Sequence, residues 1–371
     1  MVCCGQDLSN LALDLCGKIV YRLQQTEQRL LKVLLMVRGA RQSISYTEVI
    51  SKSMRTHMKK AQLLTSVLVV SSAFALAACG GKKTADQAAT GAANAAPPPL
   101  INTIQKIKDS GKVVIGHRES STPISYVVDG KPVGYAMDIC ANVVEQLKKD
   151  LNMPNLKVEY KAVTSSTRIP EIQAGNIDME CGTTTNSLKR QEQVAFSINY
   201  YVTEVRMLVK KGSNIKSIAD LDGKAVVTTQ GTTSDKYIKQ GEQGAKVNVT
   251  NVFGKDHADS FAQVESGSAV AFFMDDNILA GLMANAKNPA DFVITGPILS
   301  TEPYGIMLNK GDPEMKKIAD KAVLAMIQSG AMEKNYKKWF QSPIPPKNIN
   351  LNFPMNESLK KLLAEPNDKG I

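Results

Sequence analysis

The chain has 371 residues, 43% of them hydrophobic and 22% charged, which is typical of a globular protein with room for about two domains. This composition excludes a disordered, fibrous or polytopic membrane protein. The formal charge is +10, but residues 1–78 hold ten basic and only four acidic residues, which leaves 35 basic and 31 acidic residues elsewhere. A nucleic-acid-binding protein needs a basic surface on its folded domain, so we expect no nucleic-acid partner.

An export signal begins at Met58, well inside the chain. Two lysines, an apolar run and small residues lead in that order to Cys79, as in secretory signal peptides. The tetrapeptide 76–79 (LAAC) resembles a bacterial lipobox, whose cysteine is lipidated and becomes the mature N-terminus. We predict a signal peptide over 58–78 and lipidation of Cys79, with a buried apolar helix as the alternative. Because such signals work at an N-terminus, we interpret 1–57 as a leader from a mis-assigned start codon.

Residues 79–99 are rich in Ala, Gly and Pro, which predicts a flexible tether before a globular part from about 100. That part faces an oxidising compartment, where Cys140 and Cys181 either form a disulfide or lie apart as buried apolar side chains. The six cysteines include no CxxC pair and no histidine at metal spacing, so we expect no metal.

From residue 100 onwards, β-rich runs alternate with helical patterns, which predicts an α/β fold on largely parallel sheets. About 270 residues are many for one open sheet, so we predict two lobes with a ligand cleft between them. The predicted elements are strand 112–116, helix 136–149, strand 158–163, a helix from about 169, strand 177–181, a helix from about 188, strands 205–211 and 224–229, a helix from about 233, strand 247–252, a helix from about 258, strand 270–275, helix 277–286, strand 304–309, helices 313–329 and 332–340, and a surface segment over 342–354.

Arginine occurs at only four positions after Cys79, where lysine occurs 31 times. An arginine head is a planar fork that matches a carboxylate with two hydrogen bonds, which lysine cannot do. Arg118, Arg168 and Arg190 each follow a predicted strand, and ligands of open α/β sheets bind beyond the carboxyl ends of strands. We therefore expect these three arginines in the cleft. Arg206 lies within a strand and is interpreted as structural or hinge-related.

Hydroxyl side chains gather at the same junctions and at a fourth one, after strand 224–229. Each can cap a helix, but the repeated pattern also suits small anions. Asp275 and Asp276 end another strand and offer acceptors for an ammonium group or a helix cap. His257, at a strand exit, is either structural or a donor to a carboxylate. The hydroxyl residues are Ser120, Ser121, Thr122, Ser165, Ser166, Thr167, Thr183, Thr184, Thr185, Thr232, Thr233 and Ser234.

The number of charged groups suggests the ligand class. One arginine and one aspartate suffice for the carboxylate and ammonium groups of a neutral amino acid. Two more arginines and a histidine call for a second carboxylate, because unpaired buried charge is unfavourable.

Several segments resemble the glutamate/aspartate-binding proteins of bacterial amino-acid ABC importers, within solute-binding protein family 3. The resemblance covers about 100–371 and implies a type II periplasmic-binding-protein fold, in which two α/β lobes are joined by two hinge crossings with the ligand cleft between them. Lobe 1 is then 100–203 plus 299–371, and lobe 2 is 204–298. The segments are GHRESS, GYAMDI, SSTRIPEIQAGNIDMECGTTTN, LKRQEQVAFS, DGKAVVTTQGTTS, KDHADSF, ESGSAVAFFMDD, WFQSPIPPKNINLNFP and EPND.

The resemblance also implies a role for each site residue toward L-glutamate or L-aspartate. Arg190 and Thr185 are implied to hold the α-carboxylate, and Thr183 and Asp275 the α-ammonium group. The family commonly has Ser in place of Thr183, which leaves the preference between the two ligands open. The side-chain carboxylate is implied to bind Arg118, Ser165, Arg168 and His257, while Thr233, with Thr232 beside it, closes over the ligand from lobe 2.

The implied mechanism is hinge closure, after which the closed form meets an ABC permease in the inner membrane. We expect a periplasmic, lipid-anchored monomer without a cofactor. A rival is an enzyme like the cyclohexadienyl dehydratases, which share the fold and use cleft carboxylates as acids. We expect no enzyme, because the chain lacks a GxSxG elbow and metal spacing and because Glu119 is the only glutamate expected in the cleft. A surface lipoprotein acting as a sensor or adhesin is a third alternative.

Overall fold

The computed structural model describes residues 101–371. The predicted leader, signal peptide, lipidated Cys79 and tether lie outside this range. The strands are β1 (Lys112–His117), β2 (Ser120–Ser121), β3 (Ser125–Val128), β4 (Lys131–Val133), β5 (Lys157–Ala162), β6 (Met179–Cys181), β7 (Val194–Phe196), β8 (Tyr201–Lys210), β9 (Ala225–Thr229), β10 (Thr250–Gly254), β11 (Ala271–Asp275), β12 (Phe292–Tyr304), β13 (Met307–Asn309), β14 (Pro343–Ile344) and β15 (Ile349–Asn350).

Ten α-helices and two short 3₁₀ turns, Ile218–Leu221 and Pro289–Asp291, connect these strands within the described range. None of these helices is both long enough and apolar enough to cross a membrane. The α-helices are α1 (Thr103–Ser110), α2 (Tyr135–Asp150), α3 (Arg168–Gln173), α4 (Leu188–Gln191), α5 (Ser234–Ala245), α6 (His257–Ser266), α7 (Asp276–Asn285), α8 (Pro313–Gln328), α9 (Ala331–Phe340) and α10 (Glu357–Ala364).

The first sheet has the order β5-β1-β6-β13-β7. Strand β1 pairs in parallel with β5 and β6, whereas β13 pairs antiparallel with β6 and β7. Successive side chains of β1 face opposite sides of the sheet, so Val113 and Ile115 join the large core under α2 and α8, while Val114 packs against the cluster on the other face. The sheet is therefore covered on both faces.

The second sheet has the order β10-β9-β11-β8-β12. The neighbouring residues Phe272 and Phe273 of β11 are both buried, because one packs with Ile278 of α7 and the other with Ile238 of α5. A continuous apolar run is what a strand buried on both faces requires. The apolar segment predicted over 270–275 is such a strand, and its carboxyl end delivers Asp275 to the interior.

Strands β8 and β12 carry the chain between the two sheets. They pair antiparallel from Tyr201 opposite Tyr304 to Lys210 opposite Phe292, with an irregularity between Thr295 and Ser300. At the end near the first sheet, the Tyr201 ring stacks on Tyr304 at a centroid distance of 5.5 Å. The two crossings are thus paired strands that pack in an aromatic cluster at the end near the first sheet. Such paired strands suit a hinge better than a loose linker does.

A disulfide joins Cys140 of α2 to Cys181 at the end of β6. Both cysteines are buried. The bond ties the main helix of the first sheet to the strand that leads into Thr183 and Thr185. The structure thus contains the first of the two alternatives that the sequence left open for these cysteines.

The expectation of largely parallel sheets was wrong, because each sheet contains two parallel and two antiparallel pairings. Strand 247–252 lies instead at Thr250–Gly254, and the helix from 188 ends after one turn. Strand β12 has no counterpart among the predicted elements, because Gly296 and two prolines within it indicate a loop. Proline is tolerated there because β12 is the edge strand of its sheet.

Candidate functional site

The guanidinium of Arg118 is buried in the cleft between the two sheets and contacts residues from both of them. Arg118 directly follows β1, and its Nε donates to the carbonyl of Val163 over 3.0 Å. Its Nη1 donates to Thr183 Oγ1 over 3.2 Å, and its Nη2 lies 3.4 Å from His257 Nε2. Burial, followed by repulsion from Arg168, lowers the pKa of Arg118 to about 10. The structure thus brings four of the predicted site residues to one place.

His257 reaches the cleft from the second sheet as the first residue of α6. A guanidinium can only donate, so the Nε2 atom that faces Arg118 acts as the acceptor and Nδ1 carries the hydrogen. Nδ1 lies 3.0 Å from Thr229 Oγ1, which is 2.8 Å from Ser260 Oγ. Burial, and then the charges of Arg118 and Arg168, lower the pKa of His257 well below its usual range. His257 is therefore neutral and orients Arg118 across the cleft.

Arg168 is the first residue of α3 and is only 2% exposed. Within the described residues, its Nε and Nη1 atoms have no hydrogen-bond partner. The hydroxyl of Ser165, in the same loop, is also buried and has no partner in that part of the chain. A buried guanidinium whose nitrogens lack partners is unfavourable, and these atoms are suited to bind an anion.

Arg190 lies on the short helix α4 and is half-buried. Its Nη1 donates to the carbonyl of Thr185 over 3.0 Å, and its Nη2 donates to the carbonyl of Gly231 over 3.3 Å. Gly231 follows β9 of the second sheet, so this arginine contacts both sides of the cleft. Burial, followed by repulsion from Arg168, lowers the pKa of Arg190 to about 10.

Gly231 marks the point where the two sides touch. A Cβ atom on Gly231 would lie 2.8 Å from the backbone carbon and oxygen of Ser165, and the φ of Gly231 is +80°. Only glycine adopts this conformation and permits this approach without strain. The structure is therefore the closed form of a two-sided cleft.

Asp275 occupies the N-cap position of α7 but forms no side-chain cap. Its Oδ2 instead accepts a hydrogen bond from the Tyr304 hydroxyl, and its Oδ1 is buried without a partner in the range 101–371. Burial, followed by the neighbouring Glu302, raises the pKa of Asp275 to about 8. The capping alternative is wrong for this residue, and the free oxygen suits an ammonium group. Asp276 instead accepts from the Thr203 hydroxyl over 2.7 Å.

Glu302 is the site residue that the sequence analysis missed. It lies on β12, is fully buried, and its Oε2 accepts from Thr185 Oγ1 over 2.6 Å and from Thr233 Oγ1 over 2.9 Å. Thr233 also stands at an N-cap position, that of α5, without capping it. The hydroxyls of two predicted ligand-binding threonines are thus engaged by a carboxyl group of the protein.

The expectation that Glu119 is the only glutamate in the cleft was wrong. Glu119 is exposed, whereas Glu302 and Glu180 are fully buried. The Oε2 of Glu180 accepts from the Thr184 hydroxyl over 2.6 Å, and Glu180 also acts electrostatically on Arg118. The formal charge of the cleft is consequently less positive than a count of its arginines suggests.

Two further residues singled out in the sequence donate hydrogen bonds to backbone carbonyls. The hydroxyl of Thr232 donates to the carbonyl of Thr229 over 2.7 Å, so it stabilises the turn before α5. Arg206 donates through Nη2 to the carbonyl of Gly296 over 2.9 Å, which fits the interpretation of this arginine as structural.

Similarity to known proteins shows the family of this chain. The model of bacterial extracellular solute-binding proteins, family 3, matches residues 113–342. The chain belongs to this family. It is 51% identical over 272 residues to an L-glutamate/L-aspartate-binding protein of Pseudomonas aeruginosa, covering 73% of this chain and 90% of that one. It is 46% identical over 299 residues to a glutamate/aspartate import solute-binding protein of Escherichia coli, covering 80% of this chain and 96% of that one.

The solved structures confirm the type II periplasmic-binding-protein fold of this family 3 protein, with two α/β lobes, two hinge crossings and a cleft between the lobes. An ancestral amino-acid-binding protein, described as a precursor of cyclohexadienyl dehydratase, is similar with a TM-score of 0.54 and 26% identity. That similarity covers 64% of this chain and 99% of the ancestral one. The two sequence relatives above are both named as binding proteins rather than as enzymes.

Proposed function

We propose that this solute-binding protein captures L-glutamate or L-aspartate by hinge closure and delivers it to an ABC permease in the inner membrane. The names of the two relatives, at 51% and 46% identity, support this class of ligand. The cleft supports it independently through its three arginines and its free aspartate oxygen. We propose lobe boundaries of 100–203 plus 299–371 for lobe 1 and 204–298 for lobe 2.

The observation that carries the proposal is the buried guanidinium of Arg168, two of whose nitrogens have no partner in the described residues. Its Nε and Nη1 are buried and have no partner within the described residues, whereas Arg118 and Arg190 each donate to protein carbonyls. A carboxylate is the group that forms the strongest charge-assisted hydrogen bonds with a guanidinium. A ligand with a carboxylate at this position gains a charge-assisted pair that a neutral amide cannot form.

The ligand is held by its three charged groups, each at its own part of the cleft. We assign the α-carboxylate to Arg190 and Thr185, and the α-ammonium group to Thr183 and Asp275. The side-chain carboxylate binds Arg168, Ser165 and Arg118, with His257 holding Arg118 in place from the opposite side. Thr233, with Thr232 beside it, closes the cleft from lobe 2.

We propose that the protein is a periplasmic monomer anchored to the membrane by a lipid on Cys79. The order of charge, apolar run and lipobox before Cys79 supports this anchor. Membrane fractionation of the full chain and of Cys79→Ser tests it. The variant should move to the soluble fraction, and an unchanged distribution would contradict a lipid on this cysteine.

Calorimetric titration of the full chain tests the ligand, after unfolding with the disulfide intact and refolding to remove bound amino acids. L-glutamate and L-aspartate should bind with micromolar or tighter Kd, and L-glutamine should bind much more weakly. Absence of heat from all three in a folded sample would refute the dicarboxylate cleft.

A second candidate, an enzyme like cyclohexadienyl dehydratase, draws support from one observation. Asp275 has a raised pKa and lies near Glu302, so it can hold a proton at neutral pH as a general acid must. We infer that it serves as an ammonium-binding group instead, and that the protein catalyses no reaction. Incubation with a cyclohexadienyl substrate should give no aromatic absorbance, and steady product formation would favour the enzyme.

A further inference from the structure

Glu302 connects the two lobes through one carboxyl oxygen. Its Oε2 receives the hydroxyl of Thr185 over 2.6 Å and the hydroxyl of Thr233 over 2.9 Å. Thr185 follows β6 of the first sheet, whereas Thr233 follows β9 of the second sheet. The second oxygen, Oε1, is buried and has no partner among residues 101–371. This carboxyl group, on one of the two hinge strands, therefore accepts hydrogen bonds from both lobes.

The backbone around Glu302 is fixed on the side of the first sheet. Glu302 pairs with Thr203 in the ladder between β12 and β8, and the next carbonyl, of Pro303, accepts from the amide of Asn186 over 2.8 Å. Thr185 itself forms a bridge with Tyr304. The bond to Thr185 can therefore persist when the cleft opens, whereas the bond to Thr233 must break.

We propose that Glu302 is a positioning residue that latches the lobes in the closed form even without ligand, by holding Thr233 against Thr185. The inference rests on the proposed function, since it concerns how the same cleft closes. A threonine hydroxyl has one hydrogen, and in the structure both hydrogens go to Glu302. An α-carboxylate that uses these hydroxyls as donors has to take them from Glu302. The latch therefore raises the closed fraction of the empty protein and competes with the ligand's α-carboxylate.

The experiment measures the open and closed populations of the full chain in the absence of ligand. Ketone-bearing amino acids at exposed Lys149 of α2 and Gln240 of α5 take spin labels without touching any cysteine, and electron–electron resonance gives their distance distribution. The variants are Glu302→Ala and Thr233→Val, alone and together. Thr233→Ser keeps the hydroxyl, and Glu204→Ala is the matched control because it removes a half-buried carboxyl group from the neighbouring strand β8.

A hydrogen bond to a charged group is worth enough to change the closed-to-open ratio about tenfold. Glu302→Ala and Thr233→Val should each lower this ratio by about that factor, and the double variant should lower it no further. Thr233→Ser and Glu204→Ala should leave the ratio within about twofold of the wild type. If Glu302→Ala fails to fold, the comparison of Thr233→Val with Thr233→Ser carries the test.

Three results would overturn the latch: a wild type without a closed fraction, an unchanged ratio in Thr233→Val, or additive losses in the double variant. All of these measurements are made without an added amino-acid ligand. If the proposed ligand is wrong, the spin-label result does not change. If the proposed latch is wrong, calorimetry still tests dicarboxylate binding.

Discussion

Replacement of Arg168 by methionine tests binding and stability together. The change keeps an apolar stem but removes a guanidinium whose Nε and Nη1 have no partner in the described part of the chain. Loss of one partner of a buried charge pair costs about 2–5 kcal/mol, which is about 30- to 4,000-fold in Kd. L-glutamine loses only a neutral acceptor contact of about 1 kcal/mol, or about fivefold. The preference for L-glutamate over L-glutamine should therefore fall by about sixfold or more in calorimetric titrations.

The same variant should stabilise the protein when no ligand is present. Arg168 lowers the pKa values of both Arg118 and Arg190, which shows that it repels their charges. Removal of this buried charge should raise the free energy of unfolding by about 1 kcal/mol, which corresponds to about 2–4 °C in Tm by differential scanning calorimetry. Replacement of an arginine that binds ligand at the expense of stability should weaken binding and raise the Tm of the ligand-free protein. Replacement of a purely structural arginine should not raise the Tm.

Two controls make the result specific. Arg206→Met removes an arginine outside the cleft and should leave the glutamate-to-glutamine ratio unchanged. Arg190→Ala should abolish binding of both amino acids, because both ligands share the α-carboxylate. If Arg168→Met weakens L-glutamate and L-glutamine equally, or lowers Tm in the ligand-free protein, the assignment of Arg168 to a second carboxylate is refuted.

Three further changes test other parts of the cleft. Gly231→Ala places a Cβ atom 2.8 Å from backbone across the cleft, so calorimetry should show all ligands weakened at least about tenfold in equal proportion. Burial and Glu302 raise the pKa of Asp275 to about 8, so the carboxyl group is protonated at pH 7 in the empty protein. Binding of an ammonium group should therefore release the proton from Asp275. Titrations in buffers of different ionisation enthalpy should then show release of close to one proton at pH 7 and an affinity that rises up to about pH 8. Proton uptake would contradict this role. Replacing Cys140 and Cys181 by serine opens a loop closed over 41 residues and should cost about 4 kcal/mol in urea unfolding. A loss below about 1 kcal/mol would contradict the stabilising role of the disulfide.

The sequence predicted the arginine and histidine positions because strand ends of an α/β sheet converge by geometry. Arg118, Arg168 and His257 each follow or begin an element at such an end, and the structure brings them into one cleft. The scarcity of arginine in the globular part singles out Arg118 and Arg168, and a position at a strand exit singles out His257. The same reasoning left the choice between helix capping and ligand binding open for Asp275, since both uses share the N-cap position. Only the free Oδ1 atom distinguishes them.

The sequence did not reveal Glu302 because its position depends on strand pairing. It lies inside β12, where Gly296, Pro297 and Pro303 indicate loop structure, and it faces the cleft only because β12 pairs antiparallel with β8. Periodicity and turn signals carry no information about such long-range register. For the same reason, the arginine count alone overstates the positive charge of the cleft, which also contains Glu302 and Glu180.

A crystal structure of the protein with L-glutamate is the decisive test of the proposed dicarboxylate cleft. The side-chain carboxylate should lie within hydrogen-bond distance of the Arg168 guanidinium, the α-carboxylate on Arg190 and the ammonium group on Asp275 Oδ1. Electron density for L-glutamate outside the cleft, or with Arg168 still without a carboxylate partner, would refute the proposed ligand positions.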